Sequence, residues 1–197
     1  MKRLIFAGIA TLLLTTAAHA TTMLTLGPAD GAIAGLPGAT AGWGFTFVND
    51  TDYAVITGSE FCATSSSPLP GACAPVFPNL GTYTDMAGAQ FLVVGPSPEQ
   101  PTVSQAFDTT AHTGLGSFTF DPLASGGASA SGLLAVTYDL FSVSPNDPNF
   151  SPSDEIAGGN FVTADASVTA VPEPGALVLL GSGLVGLGLW RNRRTRA

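Results

Sequence analysis

The middle of this 197-residue chain contains no lysine and no arginine. All six cationic residues lie at its ends: Lys2 and Arg3 near the N-terminus, and four arginines after residue 190. Thirteen of the fourteen Asp and Glu residues lie between positions 21 and 170. Their carboxylates must therefore be solvated, bound by backbone N–H groups or neutralised by external cations. This composition excludes nucleic-acid binding, because such binding depends on contacts of Lys and Arg side chains with phosphate groups.

Histidine is also scarce, with only His19 and His112 present. A serine hydrolase needs a serine, a histidine base and an orienting acid, and the G-x-S-x-G nucleophile elbow is absent. His112 lies in the polar segment 110–114, which is typical of a surface turn. We therefore expect a non-catalytic domain, with a secreted hydrolase as the least favoured alternative.

The N-terminus has the three parts of a secretory signal peptide. Lys2 and Arg3 precede an apolar run over residues 4–14, and Ala18 and Ala20 form an A-x-A cleavage site. The run is too short to span a bilayer, which needs about 20 apolar residues. Residues 1–20 are thus predicted to be removed by signal peptidase, and the protein to be exported.

The C-terminus combines a short motif, an apolar run and a basic tail. The motif is Val171, Pro172, Glu173 and Pro174, and the apolar run covers residues 175–190. The run ends at Trp190 and is followed by Arg191, Arg193, Arg194 and Arg196. Together the three parts resemble the PEP-CTERM protein-sorting signal of Gram-negative bacteria that make extracellular polysaccharide, over about the last 27 residues. The resemblance implies an exosortase, an integral-membrane transpeptidase-like enzyme that recognises the motif and removes the tail.

The apolar run itself predicts a short transmembrane helix. Sixteen residues form roughly 24 Å of helix against a hydrocarbon core of about 30 Å, so insertion needs Trp190 at the interface and snorkelling arginines. The positive-inside rule keeps these arginines cytoplasmic and the domain outside. The alternative is a permanent single-pass anchor without cleavage.

Residues 21–170 predict an all-β domain. Charged residues make up only 10% of the chain, and 24 glycines and 15 prolines are spread along it. Apolar and polar residues alternate in segments around Trp43–Phe47, Phe118–Phe120, Leu134–Leu140 and Val162–Ala170. Further strands are predicted over 22–26, 53–61, 90–95 and 102–108, and a flexible or surface stretch over 124–132. About eight strands with turn signals between them indicate an antiparallel β-sandwich, immunoglobulin-like or jelly-roll.

Three sets of side chains are candidates for stabilising or binding roles. Cys62 and Cys73 are the only cysteines; in an exported chain they predict a disulfide, worth roughly 3 kcal/mol on the chain-entropy model. Oxygen ligands for calcium cluster on turns, although Asn, Asp and Pro also simply make turns. A sugar-stacking platform of aromatic residues is conceivable, but the alternation around Trp43 and Tyr138 favours the core. The calcium candidates are Asp50, Asp52, Asp147, Asp154 and Glu155, and the aromatic candidates are Trp43, Tyr53, Tyr83 and Tyr138.

The leading hypothesis is a non-catalytic exported β-sandwich of the cell surface or exopolysaccharide matrix. Residues 171–197 would anchor it transiently in the inner membrane, with the domain in the periplasm, until an exosortase releases or displays it. The alternative is a secreted module that binds extracellular polysaccharide or calcium. No other cofactor is expected.

Overall fold

The computed structural model describes residues 22–63, 77–172, 175 and 181–183. Ten β-strands occupy the described part of the chain, so the all-β prediction is confirmed. A single turn of 3-10 helix, Pro152–Asp154, precedes the last strand. The strands are β1 Met23–Gly27, β2 Ala32–Gly35, β3 Thr40–Val48, β4 Tyr53–Ala63, β5 Gly81–Asp85, β6 Leu92–Val94, β7 Thr102–Gln105, β8 Gly116–Phe120, β9 Ser129–Phe141 and β10 Glu155–Ala170.

The strands form two five-stranded sheets that pack face to face as a β-sandwich. The first sheet has the order β1-β3-β8-β5, and β7 also pairs with β3. The second has the order β2-β10-β9-β4-β6. Most pairs are antiparallel, but β2 runs parallel to β10, with Ile33 opposite Val168. The prediction of a purely antiparallel sandwich is therefore wrong at this edge, because the chain crosses between the sheets after β1 instead of turning back in a hairpin.

An excursion of the chain interrupts the first sheet. The later half of β3 pairs with β7, where Phe45 lies opposite Gln105, and its earlier half pairs with β8, where Trp43 lies opposite Gly116. Residues 106–115 leave the sheet between these two pairings. A bridge between Asp108 and Thr113 closes this excursion into a compact loop.

Aromatic rings from both sheets fill the space between them. Phe61 of β4 packs against Trp43 of β3 and stacks on Phe77, with centroids 5.5 and 5.1 Å apart. Phe77 meets Phe118 edge-on, and Phe118 meets Phe120 in the same way, each at 5.2 Å. Edge-to-face and offset contacts at these distances are favourable beyond the burial of area. The rings form a continuous path across the core.

The predicted face of β9 is confirmed. Leu134, Val136 and Tyr138 are buried and Leu140 is partly buried. On β10 the inward face is buried only towards its end, from Ala166 onwards. The first residues of β10 extend beyond the core. Their pairing with β9 is irregular and its register shifts there.

Two strands were missed, and one stretch was assigned wrongly. The strand β2 is a four-residue segment of Ala, Ile and Gly, and β5 alternates mostly polar residues, so neither carries a clear apolar period. The predicted flexible or surface stretch 124–132 is wrong in its second half, because Ser129 already begins β9. Small residues suffice there because pairing with β10 defines the segment.

Several predictions fall outside the described residues. They are the signal peptide over 1–20, including Ala18 and Ala20; Cys73; Glu173 and Pro174; and the tail from Trp190 through Arg191, Arg193, Arg194 and Arg196. No helix within the described residues is long and apolar enough to cross a membrane. Most of the segment predicted to do so, 175–190, is not described, and residues 181–183 within it are helical.

The disulfide between Cys62 and Cys73 also stays a prediction. Cys62 is buried near the end of β4 and is not a free thiol. Cys73 and all but the first residue of the loop that would be closed, residues 63–72, lie outside the described part of the chain.

Replacing Phe118 by alanine should strongly destabilise the sandwich. The ring is fully buried between Phe77 and Phe120, and truncating such a residue to alanine costs about 3–5 kcal/mol. Urea unfolding of residues 21–171 measures the change. Phe91, 66% exposed, is the matched control, for which Phe91→Ala should change stability by about 0.5 kcal/mol or less. Similar losses in both variants would contradict the assigned core.

Candidate functional site

The calcium candidates organise turns instead of converging on one point. The Asp147 carboxylate accepts hydrogen bonds from the backbone N–H and the side-chain amide of Asn149, at 2.8 and 3.0 Å. Asp154 accepts from the backbone N–H of Ser151 at 2.8 Å and so completes a capping box. Within the described residues no group of three or more His, Cys, Asp or Glu side chains could hold a metal ion. The turn interpretation accounts for these two carboxylates.

The turn that carries Asp50 and Asp52 depends on Asn49, whose burial was not predicted from the sequence. Asn49 is fully buried, and its side-chain amide donates to the backbone carbonyl of Asp52. The hydroxyl of Thr22 donates to the side-chain oxygen Oδ1 of Asn49 at 3.4 Å. Asn49 therefore ties the end of β3 to the start of β4 and to the strand β1 region, which is a structural role.

The aromatic candidates do not form a sugar-stacking platform. Trp43 and Tyr138 are buried, as the alternation predicted, and Tyr83 points its hydroxyl inward. Tyr53 remains accessible, and its hydroxyl donates to Glu99 at 2.6 Å. This hydrogen bond raises the pKa of Tyr53 above its usual value.

A groove of about 710 Å³ lies beside β5 and β8. Five of its lining residues carry a hydroxyl or a carboxylate, and Met86 and Ala89 add apolar surface. Groove residues from β3, β5 and β8 lie on neighbouring strands, where Thr40 faces Thr119 and Thr84 faces Ser117. The lining consists of Thr40, Thr84, Asp85, Met86, Ala89, Thr109, His112 and Ser117.

The excursion 106–115 brings His112 to this groove. Its first turn is held by Asp108, whose carboxylate accepts from the backbone N–H groups of Thr110 and Ala111, at 2.7 and 3.0 Å. These two donors, with a smaller contribution from His112, lower the pKa of Asp108. His112 has a positive φ of 54°. Its ring is exposed, as expected from the sequence, and makes no hydrogen bond to a hydroxyl or carboxylate of the described residues.

A partly buried hydroxyl network lies behind the groove and joins the two sheets. Ser59 of β4 is 2.6 Å from the hydroxyl of Tyr83 and 2.8 Å from the carbonyl oxygen of Leu115, and it also bonds to Asp85. Leu115 and Asp85 offer only acceptors to the single Ser59 proton. Between Ser59 and Tyr83 either hydroxyl could be the donor.

The environment of Tyr83 keeps its hydroxyl protonated. Burial raises the pKa of Tyr83 well above its usual value, a smaller opposing contribution comes from Ser59, and Asp85 raises the pKa further. The hydroxyl occupies the space where a side chain at Gly116 would stand: a Cβ there would lie 2.1 Å from it. Glycine at position 116 is thus required for this contact between the sheets.

The sequence did not identify Ser59, Asp85 or Ser117 as members of a common site. They lie far apart in the chain, and none belongs to a recognisable motif. Only His112 was considered, and only as a catalytic base. Strand pairing, which spacing in the chain does not reveal, brings these residues together.

The segment after β10 carries the clearest functional information. Residues 170–194 match the family model of the PEP-CTERM protein-sorting motif. The chain carries a PEP-CTERM motif. The match begins at Ala170, the last residue of β10, so the motif starts without a spacer where the sandwich ends. No curated protein matches the chain.

The PEP-CTERM motif indicates an exported protein that is targeted to an exosortase and transits a membrane. The match confirms the resemblance noted in the sequence. The motif concerns how the protein is delivered, and the sandwich, residues 22–169, lies outside it.

Replacing Tyr83 by phenylalanine should flatten the alkaline loss of stability. A raised folded-state pKa means that keeping Tyr83 neutral stabilises the fold below the unfolded value of about 10, and that this stabilisation is lost as the pH rises above it. The variant also removes the hydrogen bond between Tyr83 and Ser59, at a cost of about 1–2 kcal/mol at neutral pH.

Urea unfolding between neutral pH and pH values above 10 tests this expectation. Tyr53→Phe is the control at neutral pH only, because its hydroxyl bonds to the exposed Glu99 and its loss should change the stability less there. Parallel pH profiles for the parent and Tyr83→Phe would contradict the assigned network.

Proposed function

We propose that this chain is a non-catalytic β-sandwich that an exosortase processes at its PEP-CTERM motif and that then acts at the cell surface or in the exopolysaccharide matrix. The observation that carries the proposal is the position of the motif. It begins at the last residue of β10, so the cargo that the motif delivers is the sandwich itself. The N-terminal signal-peptide pattern agrees with the same route.

The chemistry of the sandwich supports a non-catalytic role. His112 is its sole histidine, and the structure places the ring on an exposed turn. The partly buried hydroxyl of Ser59 hydrogen-bonds to Tyr83, Asp85 and Leu115. His112, the kind of base that a serine nucleophile commonly uses, is not among these partners.

Processing can be tested by intact-mass measurement in a host that contains the exosortase. The parent chain should begin at Thr21 and end near residues 171–174. Glu173→Ala, which changes the motif, should retain Trp190 and the arginine tail. Glu155→Ala changes an acid on β10 outside the motif and should be processed like the parent. A secreted species that keeps Trp190 would overturn the exosortase step.

A second candidate function is the binding of a neutral polysaccharide, and the groove beside β5 and β8 favours it. Hydroxyl groups and one carboxylate line the groove, and such groups hydrogen-bond sugar hydroxyls. The domain has no Lys or Arg to attract an acidic polymer, while Asp85 would repel one. These features select neutral chains.

Thermal unfolding with neutral polysaccharide from the host tests the groove. A ligand at a hundred times its dissociation constant stabilises by about 2.7 kcal/mol, so the midpoint should rise. Thr84→Val removes a groove hydroxyl and should reduce the shift. Thr82→Val lies two residues earlier on the same face of β5, outside the groove lining, and should keep it. Equal shifts in the two variants would exclude this groove.

A further inference from the structure

The C-terminus leaves the sandwich at a defined end, here called the proximal end, made of loops 36–39 and 121–128 and residues 171–172. The backbone N–H of Val171 donates to the carbonyl of Gly35 at 2.8 Å, and that of Gly127 donates to the carbonyl of Ala170 at 2.6 Å. Pro172 lies against Gly126, where an added Cβ would be 2.6 Å from the Pro172 Cα. The chain is therefore held to the sandwich up to Pro172.

Three exposed aliphatic side chains share the proximal end. Leu123 is 87% exposed, Leu36 43% and Val171 39%. They come from three separate segments of the chain. Leu123 stands on a fixed turn, because its backbone N–H donates to the Asp121 carboxylate at 2.7 Å. Such a group of exposed aliphatic residues is a candidate interaction surface.

Six of the thirteen acidic residues of the domain lie at the other end of the sandwich. The far end, here called the distal end, consists of the turns at 49–52, 96–100 and 142–155, where strands β3, β6 and β9 finish. Six carboxylates lie there, whereas Asp121 is the one acidic residue in the proximal segments described here. The distal acids are Asp50, Asp52, Glu99, Asp147, Asp154 and Glu155.

The distance along the chain brings the proximal end close to the membrane. The apolar run begins at Gly175, three residues after Pro172, and three extended residues span at most about 10 Å. When the run is inserted, the proximal end must therefore lie within about 10 Å of the lipid headgroups, which is roughly one Debye length. This step rests on the proposed function, in which the tail enters the inner membrane.

We propose that the proximal end rests on the lipid bilayer while the tail is attached, with Leu36, Leu123 and Val171 in the headgroup region. Aliphatic side chains favour this interface, and anionic lipids repel carboxylates, so the distal acids point away from the membrane. Because three side chains bind weakly without the tail, tail removal frees the domain. The proximal end therefore fixes the orientation of the sandwich relative to the membrane only before processing.

Lipid photolabelling of the full chain tests the proposal. The chain with its C-terminal segment intact is reconstituted in vesicles of phosphatidylethanolamine and phosphatidylglycerol that contain a photoactivatable phospholipid, and the adducts are mapped by mass spectrometry. Adducts are expected at Leu36, Leu123 and Val171. Phe91 and Ile156, which are exposed elsewhere on the sandwich, should remain unlabelled.

Two variants sharpen the measurement. Leu123→Asp should lose most of the lipid adducts at Leu36 and Val171. Ile156→Asp changes a residue that is 54% exposed at the distal end and should label like the parent. Both side chains lie outside the core, so circular dichroism should show an unchanged fold.

Adducts in residues 175–190 distinguish a failure of the bilayer contact from a failure of membrane anchoring. Labelling of this run without labelling of Leu123 overturns the bilayer contact and leaves anchoring intact. An unlabelled run overturns anchoring and the bilayer contact together. In host cells, photo-crosslinking from position 123 to a membrane protein in place of lipid would overturn the bilayer as occupant.

Discussion

The contact between Trp43 and Phe61 holds the sandwich together. It joins β3 of the first sheet to β4 of the second, with ring centroids 5.5 Å apart. The indole N–H of Trp43 also donates to the carbonyl of Gly31 at 2.8 Å, and so fixes the crossing from β1 to β2. This bond adds to the pairing of β2 with β10 and to the hydrogen bond from the Ser167 backbone N–H to the same carbonyl, at the point where the chain changes sheets.

The lack of Lys and Arg determines how polar groups are satisfied. Within the described residues no buried side-chain nitrogen or oxygen is without a hydrogen-bond partner. Backbone N–H groups bind carboxylates such as Asp108 and Asp154, and neutral hydroxyls link the sheets through Ser59 and Tyr83. The domain thus satisfies its polar groups without ion pairs to Lys or Arg.

Much of this protein could be predicted from local patterns. Alternation placed Trp43, Phe118 and the inward face of β9 in the core, since side chains on a strand alternate between its faces. The C-terminal motif was recognisable because an enzyme must read such a signal in a short contiguous segment. The missed strands, β2 and β5, lacked an apolar period, and their pairing partners lie far away in the chain.

The sequence by itself determined the all-β class, the core residues and the sorting motif, because each depends on neighbouring residues. Only the tertiary structure decided the parallel edge, the groove that unites Asp85 with His112, and the hydroxyl network at Ser59. It also placed Leu36, Leu123 and Val171 at the end where the chain leaves the sandwich. These features depend on which strands pair across the sheets, and pairing between distant segments leaves no trace in local spacing.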